Sequence, residues 1–174
     1  MTDHRDDDTR LVRDWATVVR AVEAVQQAVA VRLEKLSISL PYFAVLTLLI
    51  ASPDQRLPMS RIARDLSMTS GGFTKLADRM ARDGLIDRRG SSGDRRVIFA
   101  ALTEAGLEQA RQADEAYRAF LRDEVMSVVS SADLATVSMI AARLAQLHGE
   151  PDVDPSFRLA PHPPDEPDRR NDEC

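Results

Sequence analysis

A chain of 174 residues, 44% hydrophobic and 29% charged, is long enough to bury a core of its own and too apolar to be disordered throughout. Its single cysteine, Cys174, is the last residue, which excludes an internal disulfide and any cysteine-ligated metal in the folded part. The net charge of −5 argues against a nucleic-acid partner only until it is divided: residues 56–96 hold ten Lys and Arg against five Asp, a local +5, leaving −10 for the remainder.

The opening MTDHRDDDTR is too polar for a secretory signal, and the longest apolar run, Phe43–Ala51, is too short to span a bilayer. A cytoplasmic protein with no membrane partner is expected, with a disordered start over 1–10. From Leu11 the apolar residues Trp15, Val18, Val22, Val25, Val29, Leu33 and Leu36 recur at spacings of three and four, which predicts one long amphipathic helix over 11–36. Ser39 is a candidate cap and Pro41 suits a first turn, so Tyr42–Ala51 reads as a second, buried helix that ends at Ser52-Pro53-Asp54.

A short third helix, about 59–66, would bury Ile62, Ala63 and Leu66. Thr69 can cap a fourth, about 70–83, in which Phe73, Leu76, Ala77 and Met80 turn inward. Its opposite face carries Ser70, Thr74, Lys75, Asp78, Arg79 and Arg82. Gly84 stops it, and two strands, Leu85–Arg89 and Val97–Leu102, read as a β-hairpin around a Gly- and Ser-rich turn. Thr103 caps a helix that runs to about 128, and Asp133 caps a last one, about 134–148, with Leu134, Val137, Ile140 and Leu144 on one face. The Pro- and charge-rich stretch 149–174 reads as a disordered tail.

Two short helices joined by a tight turn and followed by a hairpin form the order of a winged helix-turn-helix. The fold class expected is mainly α with a small β-hairpin wing. The second helix of such a pair fits a major groove about 12 Å wide, and arginines at the hairpin tip, Arg95 and Arg96, can enter an adjacent minor groove. The segment TSGGFTKLADRMARDGLIDRRGSSGDRRVIFAALTEAG resembles the recognition helix and wing of the MarR family of bacterial regulators. Asp94-Arg95-Arg96 through Leu102-Thr103 matches the family's wing motif, D-x-R, five residues, then L-T, and Glu104-Ala105-Gly106 continues it. The likeness covers about 11–148.

That resemblance implies N- and C-terminal dimerisation helices (11–38 and 104–148) around a DNA-binding domain at 39–103. It implies a homodimer on a pseudo-palindromic operator in double-stranded DNA, acting as a repressor, and relieved by a small aromatic or phenolic effector. Residue by residue, Ser70, Gly71, Thr74, Lys75 and Arg79 take the exposed recognition-helix positions, Arg95 and Arg96 the wing contacts, and Asp94 the role of orienting the wing arginines. Gly71 and Gly72 leave the helix start open for backbone N–H groups to approach a phosphate. Trp15 and Tyr42 are candidates for an effector pocket, with core or interface packing as the plainer reading.

The three histidines show no metal-ligand spacing, and neither a phosphate loop nor a nucleophile elbow occurs, so no metal, cofactor or enzymatic role is expected. The rival reading is a winged-helix interaction module without DNA binding, motivated by the overall acidity. Such a module should lack cations on the fourth helix and wing, and this chain carries them.

Overall fold

The apolar spacing of three and four runs along α1 (Asp3–Glu34), the first element of a computed structural model that describes residues 3–90 and 97–147. The segment expected to be disordered over 1–10 is helical from Asp3 onward. Asp6, Asp7 and Asp8 fall in its first two turns, where the positive end of the helix dipole favours acidic side chains without any apolar face. At 32 residues α1 is about 48 Å long. Only its last turns are anchored: Val29 and Leu33 are buried, while Leu11, Val12, Trp15, Val18 and Val22 stay exposed.

After a turn in which Ser37 adopts a φ of 58°, Ile38 buries fully and its N–H donates to Leu33 O. Helix α2 (Leu40–Ile50) then starts as expected, with Ser39 Oγ accepting from Tyr42 N at 3.4 Å and Pro41 in the first turn. Val45, Leu46 and Leu49 make it the centre of the core.

The wing is a three-stranded antiparallel sheet rather than a two-stranded hairpin. Strand β1 (Arg56–Pro58) pairs with β3 (Ile98–Leu102), which pairs in turn with β2 (Ile86–Gly90), giving the order β1-β3-β2. Leu57 and Arg88 thus flank the same residue, Ala100, from opposite sides. Three residues are too few to show alternation, and Pro58 fits because β1 lies at the sheet edge.

Helices α3 (Met59–Asp65) and α4 (Ser70–Arg82) follow β1, and β2 leads out of α4. The turn between them closes with Ser67 N donating to Arg64 O and Met68 N to Ala63 O, which forces Ser67 to a φ of 51°. A side chain is strained there and glycine is not. Ser67→Gly is therefore expected to stabilise the chain by about 0.5–1 kcal/mol, read as a rise of about 1–4 °C in Tm.

Helix α5 (Glu104–Phe120) is capped by Thr103, whose Oγ1 accepts from Gly106 N at 2.9 Å and donates to Gly84 O at 2.6 Å. The expected continuation to about 128 gives way to a π-helical turn at Leu121–Val125, closed by Met126 N donating to Leu121 O. In that turn Glu124 pairs with Arg32 of α1, whose guanidinium also lies 4.6 Å over the Phe120 ring.

The last helix, α6 (Ser131–Leu147), is capped by Ser130, not Asp133. Ser130 Oγ accepts from Asp133 N, and Asp133 Oδ2 accepts from Ser130 N and Oγ, a reciprocal box that puts the acid three residues inside the cap. No side chain of α6 is buried. The stretch 149–174 lies outside the described residues.

Candidate nucleic-acid interface

Every fourth-helix residue expected to face inward does so: Phe73, Leu76, Ala77 and Met80 are all buried. Four apolar anchors on one stripe fix the helix about its own axis and turn the opposite stripe outward. Thr69 Oγ1 accepts from Gly72 N at 3.1 Å, so the N-terminus is capped, and α4 ends in a reciprocal pair of bonds, Gly84 N to Ala81 O and Leu85 N to Met80 O. Gly84 supplies the φ of 75° that this ending needs.

On the outer face Ser70, Gly71, Lys75 and Arg79 are exposed and Thr74 is half-buried. The Thr74 hydroxyl donates to Ser70 O at 2.8 Å, which leaves its oxygen as an acceptor toward the outside. The two glycines differ. A methyl group at Gly71 would meet nothing within 4 Å, whereas at Gly72 it would lie 3.0 Å from the capping Thr69 Oγ1. With its N–H already given to the cap, Gly72 serves the helix, and Gly71 is the glycine that keeps the outer approach open.

Charge on this surface is mostly counterbalanced. Arg88 on β2 pairs with Asp78 on α4, Arg89 with Asp87 at 2.8 Å, Arg56 with Asp54 at 3.2 Å, and Arg61 and Arg64 with Asp65. Arg56 also lies 5.6 Å from the centre of the Phe99 ring. Lys75 and Arg79, in contrast, make neither a hydrogen bond nor an ion pair with any of the described residues. The positive potential available to a phosphate is thus concentrated on the outer stripe of α4. Sequence counting could not find this, because it sums charges without knowing which are paired.

Arg95 and Arg96, the wing residues expected to contact DNA, and Asp94, expected to orient them, lie outside the described residues. Of the strands that lead to them, β2 is tied to α4 by the Asp78–Arg88 pair, and β3 pairs with β2.

Trp15 and Tyr42 are not brought together within one chain. Eighteen residues separate Trp15 from Leu33, where α1 meets the core, so the indole stands about 27 Å along the helix from it, and it is 54% exposed. Tyr42 instead donates its hydroxyl to Asp83 Oδ2 at 2.6 Å. Burial of the ring, then the neighbouring Asp83 carboxylate, raise its pKa above the usual phenol value. Periodicity reveals which face an aromatic residue takes but not how far along a helix its neighbours lie.

Among the described residues no group of three or more His, Cys, Asp or Glu is arranged to hold a metal, and no helix is long and apolar enough to cross a membrane.

A family model described as the MarR family matches residues 36–97, the stretch from the end of α1 to the residue before β3. The chain is 29% identical over 125 residues to the HTH-type transcriptional regulator MhqR of Bacillus subtilis, a match that spans 72% of this chain and 84% of that one. Its fold is similar to that of AbsC, a MarR-family transcriptional regulator of Streptomyces coelicolor, with a TM-score of 0.72, 23% identity and coverage of 78% and 91% of the two chains. It is similar also to Sco3205 of the same organism, a MarR-family regulator solved in complex with DNA, with a TM-score of 0.74, 22% identity and coverage of 83% and 90%.

Proposed function

We propose that this chain is a transcriptional regulator of the MarR family, a homodimer that binds a pseudo-palindromic DNA operator and represses transcription from it. The observation that carries this reading is the pair of unpartnered cations, Lys75 and Arg79, on the outer stripe of a helix whose inner stripe is fully buried. A helix held in this way presents its polar side chains to a major groove without further rearrangement. The complex of Sco3205 with DNA supports the same use of the fold.

Ser70, Gly71 and Thr74 are assigned to the groove, with Lys75 and Arg79 serving phosphates or base edges. Arg95 and Arg96 are assigned to the minor groove, with Asp94 orienting them. Dimerisation is assigned to the exposed apolar side chains of α1 and α6, among them Leu11, Trp15, Val18, Leu134, Val137 and Ile140, which water does not tolerate as a continuous stripe. The family resemblance also carries a small aromatic effector that relieves repression, and no residue of this chain is assigned to it.

The test is a mobility shift with the DNA upstream of the chain's own gene, repeated over a range of salt. Arg96→Ala and Arg79→Ala are each expected to weaken the complex by about 1–3 kcal/mol and to flatten its salt dependence, because fewer phosphates are then neutralised and fewer counterions released. Unchanged affinity for Arg96→Ala at every salt concentration would remove the wing from the interface. A folded dimer that shifts no duplex, from a random pool included, would leave the interaction-module reading in its place.

A further inference from the structure

Tyr42 reaches the C-terminal end of α4, close to Arg79 at the end of the outer stripe. The bond from its hydroxyl to Asp83 joins residues 41 positions apart in the chain. At one end, Tyr42 sits in the first turn of α2, immediately after the turn from α1, with its own N–H held by the Ser39 cap. At the other, Asp83 is the C-cap of α4, its N–H donating to Arg79 O just before Gly84 and Leu85 close the helix. Arg79 and Arg82 flank the bond closely enough for their charges to act on the phenol.

The buried stripe of α4 holds the helix onto the core, but apolar packing has no preferred direction and resists a pivot weakly. A hydrogen bond to a carboxylate is short and directional. We propose that Tyr42, through Asp83, is a positioning residue that fixes the angle of α4 against the α1–α2 corner, and so sets the separation of the two recognition helices in the dimer. The proposal rests on the dimeric DNA-binding reading. Because α1 carries the stripe assigned to the partner, an angular change of α4 in each protomer would alter the distance between the two helices twice over. Half-site separation on DNA is set by the helical repeat, about 34–36 Å per turn, so such a change is read as base-pair spacing.

The test takes a duplex that the wild-type chain selects from a random pool, with two derivatives in which one base pair is added or removed between the half-sites. Tyr42→Phe keeps the ring and removes the donor, while Asp83→Asn disturbs the same bond from the other side. Both variants are expected to lower the preference for the selected spacing by about five- to tenfold, as the loss of one exposed hydrogen bond implies, with Tm falling by only a few degrees. Equal weakening on all three duplexes, or an unchanged preference, would reduce the bond to a structural tie and overturn the proposal. Failure of the wild-type chain to select any duplex would instead defeat the DNA-binding reading, and this role with it.

Discussion

Gly106→Ala is expected to destabilise the fold severely. A β-carbon at this position would lie 1.8 Å from Leu85 O and 2.8 Å from Leu85 C, both backbone atoms that no rotamer change can move aside. The approach is close because two bonds draw the start of α5 onto the end of α4: Thr103 Oγ1 donates to Gly84 O, and Thr103 N to Leu85 O at 3.1 Å. Separating these segments would break both bonds and the cap of α5. The expected loss is about 3 kcal/mol or more, a large part of the roughly 5–15 kcal/mol that holds a domain folded. Urea unfolding followed by far-ultraviolet circular dichroism measures it. Gly71→Ala is the control, since a methyl group there meets nothing within 4 Å and the helix gains propensity. An unfolding midpoint for Gly106→Ala equal to that of Gly71→Ala would mean that α5 can move away from Leu85 at no cost.

The double substitution Val18→Asp, Val22→Asp is expected to abolish association. The two valines lie one turn apart on the exposed part of α1, and each is more than half exposed in the isolated chain. Buried against a partner, each carboxylate would lose its hydration with no positive charge assigned to meet it, a penalty of several kcal/mol per group. The variant should sediment as a folded monomer of 19.3 kDa. Operator affinity is expected to fall at least about a hundredfold, because one half-site then binds without the effective concentration that a second supplies. Trp15, the chain's single tryptophan, reports the same event: its emission should stay red-shifted in the variant and move to the blue as the wild-type chain is concentrated. A variant that remains dimeric would transfer the interface to α6 alone.

What could be read from the sequence was whatever depends on local chemistry. Ser39, Thr69 and Thr103 cap the helices they precede, and Gly84 ends α4, because a cap bonds within three residues of itself. The inward stripe of α4 was equally legible, since amphipathic spacing over 13 residues leaves one solution. Features that depend on partners far along the chain were not. Strand β1 exists because β3, more than forty residues later, offers it an edge. The first turns of α1 are helical with no apolar signal, and the π-helical turn after Phe120 accompanies a bond from Glu124 to Arg32, more than ninety residues earlier. Ser130 took the cap of α6 from Asp133 because the two share a reciprocal motif in which either can be mistaken for the first residue. Of the candidate site, the stripe was visible, while the pairing that silences Arg88 and Arg89 and spares Lys75 and Arg79 needed the folded arrangement.

The strand order has a consequence for how the protein is made. Because β3 lies between β1 and β2, the strand entering the α3–α4 pair and the strand leaving it meet only through a third that is translated later. A nascent chain that has emerged as far as Gly90 therefore holds α3 and α4 with an open sheet edge on each flank. Closing the sheet needs contacts between residues 56 and 101, a long loop that slows folding relative to the helices. The sheet beside α4 should thus close late and abruptly in synthesis, when residues 98–102 clear the ribosome, and chains ending before them should expose unpaired strand edges that invite aggregation.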